Sequence, residues 1–163
     1  MKGALSFLLD TNVWMDHYLA RPQRANPATR LLRQAAQCEH VALFYAPTTA
    51  KDVFFLLERT LKTTARSEDA ELPEGAAEAA REVAWACIDN MSELATTAPI
   101  DESELWIARK FRRDHGDFED NLIIAAGERA NVDYIVTSDR QLLAHLPAIA
   151  ITPQRACELI GQR

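Results

Sequence analysis

Leu5-Ser6-Phe7-Leu8-Leu9 is a short, nearly continuous apolar run that stops at an acid, Asp10. A strand with one wet face alternates apolar and polar residues, whereas a strand covered on both faces stays apolar at both parities. The run therefore predicts a buried strand of a parallel sheet, and a parallel sheet requires helical crossovers. The rest of the chain supplies them. A short helix is predicted over Val13–Leu19, then a connection punctuated by Pro22 and Pro27, and a second helix over Ala28–Gln37. Val41–Tyr45 reads as the second strand. After Pro47, Thr48–Lys62 has helical spacing, with Val53, Leu56, Leu57 and Leu61 on one stripe. Thr63–Gly75 is polar, acidic and broken by Pro73, which predicts an exposed connection. Further helices are predicted over Ala76–Met91, Glu102–Arg113 and Phe118–Ala130, with strands at Ala95–Pro99, Tyr134–Thr137 and Ala148–Ile151. This rhythm indicates an α/β fold with a mainly parallel central sheet flanked by helices.

At 163 residues the chain suits one domain, read over 1–163. No apolar run approaches the roughly 18 residues of a membrane span, and no signal peptide is evident at the start, so a cytoplasmic protein is expected. Cys38, Cys87 and Cys157 are far apart and lack a CxxC pair, which predicts three buried reduced thiols rather than zinc or disulfides. A net charge of −6 argues against coating nucleic acid by bulk electrostatics. It leaves open a nuclease, which needs clustered carboxylates and only a local basic patch.

Sites in parallel sheets form at the carboxyl ends of strands and the amino ends of the helices that follow. Four acids belong there. Asp10 ends the first strand, and its alternative role is a helix cap. Asp52 is expected in the first turn after the second strand, where Thr49-Ala50-Lys51-Asp52 also fits a capping box. Asp117 and Asp120 precede an apolar helix with cap spacing, and Glu119 between them is expected to point elsewhere. Asp139 directly follows YIVTS and alone would read as a turn acid. Asp10, Asp52, Asp120 and Asp139 would nonetheless share one edge, and crowded carboxylates repel unless a cation neutralises them. An oxygen-only donor set favours Mg²⁺ or Mn²⁺ over zinc.

The segments LLDTNVWMD, DFEDNLIIAAGE and YIVTSD, in that order, resemble a PIN-domain ribonuclease of the VapC-type toxin group. The resemblance implies an acidic site binding Mg²⁺ or Mn²⁺ and metal-dependent cleavage of single-stranded or structured RNA, leaving a 5′-phosphate and a 3′-hydroxyl. It also implies a small antitoxin covering the groove, and a homodimer. Asp10 matches the family's first acid, Asp120 the acid of the D-x-x-D helix start, and Asp139 the acid after the TxD strand; Asp117 matches an additional acid. The family's second acid is usually a Glu, and here the candidate is the shorter Asp52; Glu58 lies nearly two turns further along. The expected metal ligands are thus Asp10, Asp120 and Asp139, with Asp52 as a fourth catalytic acid.

Thr11, Asn12 and Ser138 are small polar neighbours suited either to orienting carboxylates or to turn chemistry. Arg109, Lys110, Arg112 and Arg113 either meet RNA phosphates or complement a helix dipole. Trp14, Trp85 and Trp106 are read as core or interface residues rather than base-stacking platforms, and His115 as a surface loop residue. Three rival functions compete. A receiver-type phosphotransfer domain needs a strand ending in Lys, which is absent; a DxDx phosphatase needs a second Asp where Asn12 stands; a non-catalytic PIN-type RNA-binding or scaffolding module would not need every acid.

Overall fold

The computed structural model describes residues 4–19, 26–66 and 71–162. Pro22 and residues 67–70 of the predicted connection lie outside them. Five parallel strands form one sheet: β1 (Leu5–Leu9), β2 (Val41–Tyr45), β3 (Thr96–Thr97), β4 (Tyr134–Val136) and β5 (Ala150–Ile151). Eight helices among the described residues flank it: α1 (Thr11–Tyr18), α2 (Pro27–Ala36), α3 (Pro47–Ala65), α4 (Ala76–Leu94), α5 (Glu102–Phe111), α6 (Phe118–Ala130), α7 (Arg140–His145) and α8 (Pro153–Gly161).

The spatial order is β3-β2-β1-β4-β5. From β1 the chain first builds outward to β2 and β3, then returns to add β4 and β5 on the other side. Such a reversal leaves a crevice at the carboxyl ends of the two strands beside it, because the crossovers leave in opposite directions. Those strands are β1 and β4, paired with Leu9 opposite Val136. The next residues along each strand are Asp10 and Thr137.

The two faces of β1 explain its unbroken apolar character. Phe7 and Leu9 join a core with Trp14 of α1, Leu31 of α2, Leu57 of α3, Met91 of α4 and Ile160 of α8. Leu8 points the other way and packs with Ile123 of α6, Ile135 of β4 and Leu142 of α7, the period-two alternation of a strand. Each fully buried large side chain contributes about 1.5–3 kcal/mol. Helix α6 is buried continuously from Asn121 to Gly127, and a Cβ at Gly127 would meet the Ile135 side chain at 3.4 Å. Close helix-to-strand approach is thus what glycine permits here. Helix α5 is fastened to α6 by Arg129, which donates to Asp101 at 2.7 Å and to the buried Glu104 at 2.9 Å; Asp101 and Glu104 also form the capping box of α5.

Several boundaries differ from the sequence reading. Helix α3 begins at Pro47, the favoured first helical position for proline, so Asp52 stands in its second turn and its carboxylate caps nothing; the N-cap is Ala46, without a side-chain bond. On its predicted stripe Val53 and Leu57 are buried but Leu56 is exposed. Helix α3 also runs into the predicted connection as far as Ala65. The third strand is only Thr96–Thr97, and the fourth stops before Thr137. Helices α7 and α8 follow segments where no helix was predicted; Asp139 caps the first and Thr152 the second. All three cysteines are free, but only Cys157 is buried. Among the described residues no helix is long and apolar enough to cross a membrane.

Candidate active site

Asp10 is 7% exposed and sits where β1 gives way to α1. Its Oδ1 accepts the Thr11 N–H at 2.6 Å, so it is a helix cap, while its Oδ2 faces the switch point. There it accepts from the Thr137 hydroxyl at 2.7 Å and from Asn12 Nδ2 at 2.6 Å. The buried Thr137 hydroxyl in turn accepts from Asn12 Nδ2 and from the Asp139 N–H, each at 3.0 Å. A hydroxyl has one proton and two lone pairs, and Thr137 uses all three to tie the end of β1 to the end of β4. Asn12 closes the loop by accepting the Ser138 N–H at 2.8 Å. Ser138 Oγ reaches Asp16 at 3.3 Å. Thr11 Oγ1 is buried without a partner.

Asp117 and Asp139 cap α6 and α7, Asp117 accepting from Glu119 and Asp120, Asp139 from Gln141 and Leu142. Asp120, in the first turn of α6, makes no capping-box bond. It accepts instead from or shares a proton with His115, whose Nε2 lies 2.8 Å from Oδ2. His115 is only 13% exposed in its side chain, its carbonyl accepts from Asn121, and its ring stacks on His145 at 4.6 Å. It is a packed partner of Asp120, not the surface loop residue predicted.

The electrostatics join these acids into one field. Burial raises the Asp10 carboxyl, against the bonds from Thr137, Thr11 and Asn12, and the Asp120 charge raises it further. Burial also raises Asp120, opposed by His115 and reinforced by Asp117 and Asp139. The largest effect falls on Glu119, pushed up to about 7 because its protonated form can donate to Asp52, then by burial and by the charges of Asp52 and Asp10. Lys51 opposes this from 2.8 Å beyond Asp52 Oδ1. Glu119 therefore does not point away from the acids: one residue earlier on α6 than Asp120, it faces the second turn of α3. Sequence reasoning had no means of seeing this, because the contact depends on where α3 lies.

Asp52 Oδ2 is buried and has no hydrogen-bond donor among the protein groups described. A buried carboxylate oxygen near another carboxyl group is satisfied by a proton on that group, by a cation or by an ordered water. This orphan and the mutually raised acids around it fit a hard divalent ion in donor chemistry. Among the described residues, however, no three His, Cys, Asp or Glu side chains already stand as a closed ligand set. The structure thus brings Asp10, Asp120, Asp139 and Asp117 into one field, and Asp52 into it through Glu119. Trp14 is in the core, whereas Trp85 and Trp106 are more than half exposed. Arg109, Lys110, Arg112 and Arg113 lie together at the end of α5 and in the turn after it.

The sequence profile of the PIN domain matches residues 6–141. No curated protein matches the chain significantly. Among solved structures, the fold is similar to a chain of VapBC2 from Rickettsia felis bound to a DNA fragment from its promoter, with TM-score 0.62 and 12% identity over 91% of this chain and 98% of that one. It is similar to VapBC-1 from nontypeable Haemophilus influenzae, at TM-score 0.59 and 12% identity over 91% and 98% of the two chains. FitAcB from Neisseria gonorrhoeae matches at TM-score 0.56 and 17% identity, over 90% and 97%. At such identities the likeness is one of fold.

Proposed function

The chain belongs to the PIN domain family, and from that premise we propose that it is a metal-dependent endoribonuclease whose site is the acidic crevice between β1 and β4. The observation that carries this reading is the buried Asp52 Oδ2, which has no protein donor, beside a carboxylate field formed by Asp10, Asp117, Asp120 and Asp139. Asp10, Asp120 and Asp139 would hold Mg²⁺ or Mn²⁺, with Asp52 as the fourth catalytic acid and Glu119 beside it. Such an ion, when bound, supplies Lewis-acid charge to phosphoryl oxygens and a stronger water nucleophile. The chain's own residues do the rest. Thr137 and Asn12 keep Asp10 Oδ2 turned to the crevice, Thr11 and Ser138 hold the two loops, and His115 orients Asp120. Asp117 adds negative charge at the rim. Arg109, Lys110, Arg112 and Arg113 meet phosphates, countering the −6 net charge locally.

Similarity to chains of two-part complexes, VapBC and FitAB by name, supports a second element of the reading: a cytoplasmic toxin held inactive by a small antitoxin and acting as a homodimer. A non-catalytic PIN-type RNA-binding or scaffolding module is the competing function, and it would not need every acid. One experiment separates them. Purified protein is incubated with end-labelled RNA in Mg²⁺, Mn²⁺ or EDTA. Cleavage in either metal, lost in EDTA and leaving 5′-phosphates, is expected; RNA bound but uncut in both metals selects the module.

A further inference from the structure

Trp106 projects from α5 with more than half of its surface exposed. Removing an indole from water is favourable, so an exposed one on a chain with an adequate core invites a partner. The Lys110 ammonium lies 3.3 Å from the centroid of its ring. Together with Arg109, Arg112 and Arg113 the pair lines a cavity of about 730 Å³. None of these four cations forms an ion pair with an acid among the described residues. Complementing the helix dipole accounts for Arg109 and Lys110 in the last turn of α5. It accounts neither for Arg112 and Arg113 beyond it nor for the tryptophan.

We propose that this cavity is a single-strand subsite, in which Trp106 stacks an unpaired base while Lys110 and the three arginines hold the flanking phosphates. Aromatic platforms set among cations take single strands because every base has a π face and a charged backbone beside it. A duplex hides its bases and offers only phosphates. On binding, the base takes the ammonium's place on the indole and the ammonium moves to a phosphate. The subsite also lies on the way to the acids. Arg113 is two residues before His115, at most about 7.6 Å between Cα atoms, and His115 touches Asp120. The basic end of the subsite is thus joined to the acidic crevice through the Arg113–His115 segment. This inference rests on the nuclease reading only for the choice of RNA, and what it adds is Trp106 as a base-stacking residue among the cations.

The test is binding of a short uridine-rich RNA, single-stranded or annealed to its complement, followed by fluorescence anisotropy in EDTA, where cleavage does not intervene. Trp106→Ala should weaken single-strand binding by roughly five- to a hundredfold, the range of one base–aromatic stack, and change duplex binding less than twofold. Trp106→Phe should keep affinity within about threefold. Arg112→Ala and Arg113→Ala should each lower the slope of log affinity against log salt by about 1. Equal loss for both RNA forms, no loss in Trp106→Ala, or no binding of wild type at low salt overturns the subsite; far-UV circular dichroism confirms that the exposed substitutions leave the fold intact. Cleavage in Mn²⁺ is scored separately. Trp106-dependent binding without cleavage would refute the nuclease and keep the subsite, whereas cleavage with Trp106-independent binding would do the reverse.

Discussion

Glu119→Gln isolates the strongest electrostatic feature of the crevice. In the metal-free fold the Glu119 carboxyl is raised from 4.5 to about 7, first because its protonated form can donate to Asp52. A raised folded-state pKa means that the native state binds an extra proton between those values, so this contribution is fully present below about pH 4.5 and is lost as pH rises through 7. At about 1.4 kcal/mol for each pKa unit, the full rise would correspond to roughly 3.4 kcal/mol. Glu119 is solvent-exposed on one side, and screening reduces the effect to about 1–2 kcal/mol. Glutamine offers Asp52 an amide donor at every pH and carries no charge. In EDTA the variant should therefore match wild type at pH 5 and exceed it by about 1–2 kcal/mol at pH 8, a rise of several degrees in Tm for a domain of this size. Urea unfolding at pH 5, 6, 7 and 8 measures it, with an unchanged m-value certifying the comparison. Asp10 and Asp120 are raised in the same sense, so the slope should shrink rather than vanish. An unaltered pH slope, or a loss of stability equal at pH 5 and pH 8, would refute the proton-donation account.

Asp120→Asn should abolish RNA cleavage while leaving the metal-free fold as stable or more stable, since it removes one of several repelling charges; Asp10→Asn should abolish cleavage too but cost about 1–3 kcal/mol in urea unfolding, because its amide sets a donor against the groups that donate to Asp10, and unfolding of both on circular dichroism would make capping their main role. Asp52→Asn should cut cleavage at least about tenfold, the effect of 1.4 kcal/mol in the transition state. Asp52→Glu should remain active, and full activity of Asp52→Asn in an initial-rate assay would remove Asp52 from the site. Thr137→Val deletes a hydroxyl bonded to Asp10, Asn12 and Asp139 and should cost about 1.5–3 kcal/mol in urea unfolding; a loss under about 0.5 kcal/mol would show that the two loops hold without it.

Helix α6 shows how far local chemistry reaches and where it stops. Asp117, two residues before a smooth apolar segment, is legible as a cap because a helix start leaves N–H groups that a nearby carboxylate satisfies. Asp10 and Asp139 are equally legible, since a buried strand that ends in an acid must put that acid at the sheet's edge. The parallel sheet follows from the doubly apolar β1, which cannot be satisfied with one face in water. Pro47 carried a signal that places Asp52 in the second turn of α3, but a cap-like Thr-x-x-Asp spacing competed with it. Thr152-Pro153 likewise marks the start of α8, a short amphipathic helix whose burial against α2 no neighbouring residue announces. Other features have no local cause. Glu119 lies about 100° around the helix from Asp120, and only the placement of α3 across the crevice turns that offset into a contact. His115 looks like a loop residue until Asn121 and His145 hold it against Asp120. Trp106 could equally have been covered, and its exposure is decided by which face of α5 packs on α6. Local hydrogen-bonding and apolar needs thus determine the strands, the caps and three of the acids, whereas the Glu119–Asp52 pair, the packed histidine and the open tryptophan arise between elements distant in sequence, where burial and charge depend on tertiary packing.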